Sequence, residues 1–122
     1  MKLILAIGAG SFIGGVLRHI LSLWIQARTV KPFPLGTLAV NLSGCFLIGL
    51  VFGFFDRGQL SDGWKLFLAT GLLGGFTTFS AFSNETVILL REGHMQSAFL
   101  YIFSSVILGL LASYVAYILA RA

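Results

Sequence analysis

Charge is scarce in this chain. Asp56, Asp62, Glu85 and Glu92 are its only acids, and charged residues make up 10% of its 122 positions. A soluble domain carries about 25%, so the composition argues against a water-exposed globule. Cysteine occurs once, at Cys45, which rules out an intrachain disulfide and reads as a small packing residue on a helix. Proline occurs at Pro32 and Pro34 alone, where it ends one helix and resets the chain for the next. Long polar stretches are missing too, leaving no room for a soluble domain. The connections carry neither metal-ligand spacing nor a nucleophile beside a base, so no catalytic constellation emerges.

What is present is apolar: 57% of the residues are hydrophobic and the mean hydropathy is +0.97. A transmembrane helix needs about 20 such residues. Four spans fit, at Leu3–Ile25, Leu35–Phe55, Lys65–Leu90 and Ser97–Ala120. The expected architecture is therefore all-α, one four-helix transmembrane domain over residues 1–122, with any function performed inside the bilayer. The first apolar run continues to Ile25, longer than the core of a cleaved signal peptide. Between these spans, Asp56, Arg57, Asp62 and Lys65 read as a solvated loop, and Arg91-Glu92-Gly93-His94 as a second.

The net charge is +4, but the basic residues are spread thinly, which argues against nucleic acid. Lys2, Arg57, Lys65 and Arg121 fall on one membrane face. Arg28, Lys31 and Arg91 fall on the other, with Arg18 near that end of the first span. So weak a bias leaves orientation unset and predicts dual topology. Two oppositely inserted copies would pair as an antiparallel homodimer about a two-fold axis in the membrane plane, the symmetry that inverted-repeat transporters build within one chain.

The third span is interrupted by Gly74-Gly75-Phe76-Thr77-Thr78-Phe79-Ser80-Ala81-Phe82-Ser83-Asn84-Glu85. Backbone polar groups in hydrocarbon must be satisfied, so a break at membrane depth belongs where protein buries it or where it lines a cavity. Phe79 and Phe82 are spaced to share a face of the resumed helix, among the hydroxyls of Thr77, Thr78, Ser80 and Ser83. An aromatic ring has a positive edge, so rings turned edge-on hold an anion without trapping it. Glu85 is the one acid within the spans, a functional candidate by position. A donor-rich, nearly acid-free inventory suits an anion. Carbonyls released by the break suit a cation such as Na⁺.

The other spans add to this. Gly10 and Gly14 have the spacing that lets helices approach closely. Arg18 lies deep enough to place positive charge at a water-filled vestibule. His19 reads as interfacial or hydrogen-bonded. Thr37 and Asn41 share one face of the second span, where an amide serves either as helix–helix glue or as donors to a pathway. Tyr101, Ser105, Gly109 and Ser113, each four apart, form a polar stripe along the fourth span. Gly44, Gly49 and Gly53 read as packing residues.

At these motifs the chain resembles the CrcB/Fluc fluoride channels: Gly74 to Glu85, Gly36-Thr37-Leu38-Ala39-Val40-Asn41-Leu42-Ser43-Gly44, and Gly14-Gly15-Val16-Leu17-Arg18. The resemblance covers the whole chain. It implies passive export of fluoride across a bacterial plasma membrane, through two antiparallel pores of a lipid-embedded homodimer with a central structural Na⁺. Carried over by motif, Phe79 and Phe82 line the pore with Asn41. Thr37, Tyr101 and Ser105 line a polar track, with Ser80 beside the rings. Glu85 stands near its outer end, Arg18 at the vestibule, and Gly74 and Thr77 give carbonyls to Na⁺. Ala81 and Gly109 depart from the pattern. The competing reading, a small multidrug-type proton-coupled antiporter, needs an acid in the first span, which has none.

Overall fold

The computed structural model describes residues 1–30 and 32–122; the part of the first connection and of the charge balance that rests on Lys31 lies outside the described residues. Among these residues four helices are long and apolar enough to cross a membrane: α1 (Lys2–Gln26), α2 (Leu35–Asp56), α3 (Asp62–Arg91) and α4 (Met95–Arg121). All four spans expected from hydropathy are present, each extended by a residue or more at one or both ends.

One extension corrects the sequence reading. Asp62 and Lys65 are not loop residues but the first turn of α3, capped by the Ser61 side chain, which accepts from the Trp64 N–H at 3.3 Å. Asp56 likewise ends α2. A hydroxyl at the N-cap satisfies an otherwise orphaned donor, so the helix starts earlier than hydropathy alone suggests. Lys65 then lies over the Phe55 ring, 3.9 Å from its centroid, which anchors the end of the span.

α2 is the central helix, touching α1, α3 and α4. A third of its most apolar stretch is buried, against 11% for α1 and α4, so those two turn most of their surface outward. α3 has two limbs. The first, residues 62–76, packs on α1 and α2; the second, Phe79–Arg91, leaves α1 and packs on the start of α4.

Glycine decides the first contact. A Cβ on Gly10 would stand 2.7 Å from the Leu72 nitrogen, and one on Gly75 would stand 2.5 Å from the Ser11 carbonyl oxygen. Gly14 closes on the Leu72 carbonyl, and Gly71 on that of Ile7. Two small-xxx-small pairs, Gly10/Gly14 and Gly71/Gly75, thus face each other and bring backbones into contact. Gly49 and Gly53 do the same for α2 against Ser113, Tyr117 and Ala120 of α4. Gly8 meets nothing within 4 Å.

The break is shorter than the glycine-led motif suggests. Gly74 is helical (φ −62°, ψ −39°), and the chain leaves the helix only at Thr77 and Thr78, which are extended. Gly71 and Gly75 serve close approach, not unusual backbone angles. Positive φ among the described residues occurs at Gly58 and Gly93, both in connections. Two stretches, Leu66–Leu73 in α3 and Ser104–Leu108 in α4, are wound more loosely as π-helix, a form often found at functional sites.

Candidate functional site

Leaving the helix for two residues removes hydrogen bonds that must be replaced. The Thr78 N–H donates to Asn41 Oδ1 at 2.9 Å instead of to the Gly74 carbonyl, and Asn41 Nδ2 donates back to the Thr78 carbonyl at 3.0 Å. Thr78 Oγ1 caps the second limb by accepting from the Ala81 N–H at 3.2 Å. Arg18 reaches across from α1 and donates from Nε to the Gly75 carbonyl at 3.1 Å. The Gly74 and Thr77 carbonyls lose their helical donors to these partners. They are the type of oxygen that binds a hard cation at a helix break.

Two of the cavities are lined by residues of α2 and of the second limb of α3. The smaller, about 310 Å³, is lined by Asn41, Thr77, Thr78, Phe79, Phe82 and Ser105, among others. The larger, about 620 Å³, opens where α1 ends and α4 begins, and is lined by Gln26, Thr37, Glu85, Glu92 and His94, among others. Thr37 and Asn41, one turn apart on α2, each face one of them. Within the larger, the Thr37 hydroxyl donates to Glu85 Oε1 at 2.6 Å.

Tyr101 is wholly buried. Its ring centroid is 5.1 Å from that of Phe82 and 5.8 Å from that of Phe33, the latter edge-on. Phe79 and Phe82 are 5.5 Å apart with planes tilted by 51°. Among the described residues, Tyr101 Oη and Ser105 Oγ are the buried side-chain polar atoms that have no hydrogen-bond partner. Burying a hydroxyl without a partner costs about 1–3 kcal/mol, so two in one row demand a reason. Ser105 sits in the loosely wound turn of α4.

The structure therefore brings Thr37, Asn41, Phe79, Phe82, Glu85, Tyr101 and Ser105 together along the α2–α3–α4 seam. It does not bring in Ser80, which is exposed and lies 3.1 Å from the Thr78 hydroxyl, nor Arg18, which lines neither cavity. The expected stripe on α4 also divides. Ser113 donates to the Cys45 carbonyl at 2.9 Å, and Gly109 makes room for the Cys45 sulfur, so both belong to the α2 contact. His94 reaches the larger cavity while His19 is exposed.

Sequence reasoning missed Gln26. Its Nε2 donates to the Phe33 carbonyl at 3.0 Å and its Oε1 accepts from the Gly36 N–H at 2.9 Å, closing the first connection. Nothing local marks it. The same reasoning missed Thr78 as a cap too, although a threonine just before a resumed helix is the signal that marks one.

In chemical terms the seam offers donors: two unpartnered hydroxyls, the second N–H of Asn41, and ring edges. Its single acid already accepts a hydrogen bond. Residues 5–117 match the family described as CrcB-like protein, Camphor Resistance (CrcB). A protein of Flavobacterium psychrophilum named fluoride-specific ion channel FluC is 46% identical over 122 residues, covering 99% of this chain and 98% of its own. Proteins of the same name from Rhizobium meliloti and Thermus thermophilus are 45% and 46% identical, covering 100% and 97% of this chain and 98% and 93% of theirs.

Proposed function

The chain belongs to the CrcB-like family of multi-pass membrane ion channels, which are not enzymes, and on that premise we propose that it is a fluoride-selective channel. The observation that carries this reading is the pair of buried, unpartnered hydroxyls on Tyr101 and Ser105 beside the Phe79 and Phe82 rings. A small anion that accepts hydrogen bonds strongly repays their burial.

In this reading fluoride sheds water into a sequence of donors. In the smaller cavity it meets the spare N–H of Asn41, the Ser105 hydroxyl and the edges of Phe79 and Phe82. Beyond Phe82 it meets the Tyr101 hydroxyl, then Thr37. The Thr37 proton is held by Glu85, so Thr37 must turn that proton from the carboxylate to the anion. Glu85 thereby competes with the anion for that proton and, once released, repels the anion onward. Among the described residues no lysine or arginine lines either cavity, so none of them traps the ion. Chloride, larger and a weaker acceptor, gains less from close donors.

The working unit is an antiparallel homodimer of oppositely inserted copies with two pores. Its support is the weak lysine and arginine bias between membrane faces and the large exposure of Phe79, 77% in the single chain. Gly74 and Thr77 fit a central Na⁺: their carbonyls lack helical donors, and two-fold symmetry doubles the two oxygens that one chain supplies. When bound, the ion would add fixed positive charge near the anion paths. A proton-coupled antiporter is not favoured, since α1 contains no acid.

Liposomes holding the purified protein test this directly. Fluoride efflux without a proton gradient, far above chloride efflux, is the expected result; equal rates for both ions would refute selectivity. For assembly, lysines added to one connection should silence a copy expressed alone, and an oppositely biased copy should restore flux.

A further inference from the structure

The hydrogen bonds of Asn41 do more than plug a gap in the helix. The Thr78 N–H and the Thr77 carbonyl belong to the same peptide unit, which is planar, with the two groups pointing opposite ways. Asn41 Oδ1 accepts that N–H at 2.9 Å. By drawing the N–H toward α2, it sends the Thr77 carbonyl away from α2. Its Nδ2 fixes the following plane through the Thr78 carbonyl at 3.0 Å. Arg18 acts on the other side of the break, where it occupies the Gly75 carbonyl. That leaves the Gly74 oxygen as the neighbour without a donor.

We infer that Asn41 is a positioning residue for the cation site, aiming the Thr77 carbonyl by holding the N–H of the same peptide plane. This rests on the sodium reading above and extends it. Asn41 is thus shared by two ions: its oxygen serves the cation through the backbone, and its spare N–H faces the anion cavity. The two duties separate by substitution. Asn41→Asp keeps an oxygen to accept the Thr78 N–H and loses the donors. Asn41→Leu is similar in size and loses both.

The experiment follows thermal unfolding of the full purified protein as NaCl replaces N-methylglucamine chloride at constant ionic strength, with amide exchange read at Thr78. Wild type is expected to gain stability saturably with Na⁺. Asn41→Leu should need about tenfold more Na⁺ to reach its half-point and should exchange Thr78 about tenfold faster, as suits a lost hydrogen bond. Asn41→Asp should keep the wild-type half-point while its fluoride flux falls. If Asn41→Leu fails to fold, Asn41→Ser, too short to reach Thr78, replaces it with the same expectation. A responsive wild type with an unshifted Asn41→Leu (or its Ser replacement) overturns the inference alone. A wild type indifferent to Na⁺ overturns the sodium reading and this inference with it.

Discussion

The two limbs of α3 are built on opposite plans. The first limb meets α1 backbone to backbone, through Gly71 and Gly75 against Gly10 and Gly14, and its larger side chains join Val40 and Val51 of α2 in an apolar cluster. The second limb carries Glu85, sets Phe82 against Tyr101, and leaves Phe79 mostly exposed. One limb spends its surface on contact with its own chain. The other holds groups whose hydrogen-bonding capacity is unspent. A membrane protein without a soluble domain must place rigidity and chemistry within the same helices, and two extended residues are enough to divide one from the other.

This contrast predicts which substitutions harm folding and which harm transport. The largest effect belongs to the first limb. Gly75→Leu or Gly14→Leu would drive a side chain into backbone, which costs about 1–3 kcal/mol or more in a close-packed site. Loss of folded protein on size-exclusion chromatography is expected, and a well-folded Gly14→Leu would mean that the α1 contact is looser than described. Next come the rings. Phe82→Ile and Phe79→Ile keep volume and lose the positive edge, so fluoride flux should fall about tenfold or more, in line with about 1.5 kcal/mol for aromatic contacts beyond burial. Phe82, packed on Tyr101, should be the more sensitive. Normal flux in both mutants would reduce the pair to packing.

Tyr101→Phe and Ser105→Ala sharpen the comparison further. Each removes a buried hydroxyl that has no partner, so stability should hold or rise by about 1 kcal/mol while flux drops several-fold. A fall in melting temperature in both would reveal hidden structural partners. The smallest effect is expected for Ser113→Ala, which loses one interhelical hydrogen bond worth about 0.6 kcal/mol and should leave flux unchanged. Impaired flux there would extend the track past Gly109.

Much of this division was readable in advance, for reasons that also mark where reading stops. Span lengths follow from the bilayer, so the four helices were accessible from hydropathy. Glycines in a third span before a run of threonine and serine announced a break. Its position was misjudged because glycine has two uses, and only the partner helix reveals that Gly71 and Gly75 are there for contact. Asn41 was known to need company, since an amide in a bilayer must find it, but its partner lies 37 residues away. The hydrogen bond of Arg18 to the Gly75 carbonyl was hidden for the same reason: a long side chain can be placed only once the neighbouring backbone is. Gln26 carried no mark at all.

The loosely wound turn at Ser104–Leu108 has one further consequence. It acts as a phase slip. A helix that takes in extra residues over one turn rotates everything downstream about its axis, so positions in line before the turn fall out of line after it. Tyr101 accordingly addresses Phe82 and Phe33, while Gly109 and Ser113, at the same nominal spacing, address Cys45. Winding thus lets a single helix present its hydroxyls to the second limb of α3 at one end and a flat seat to α2 at the other.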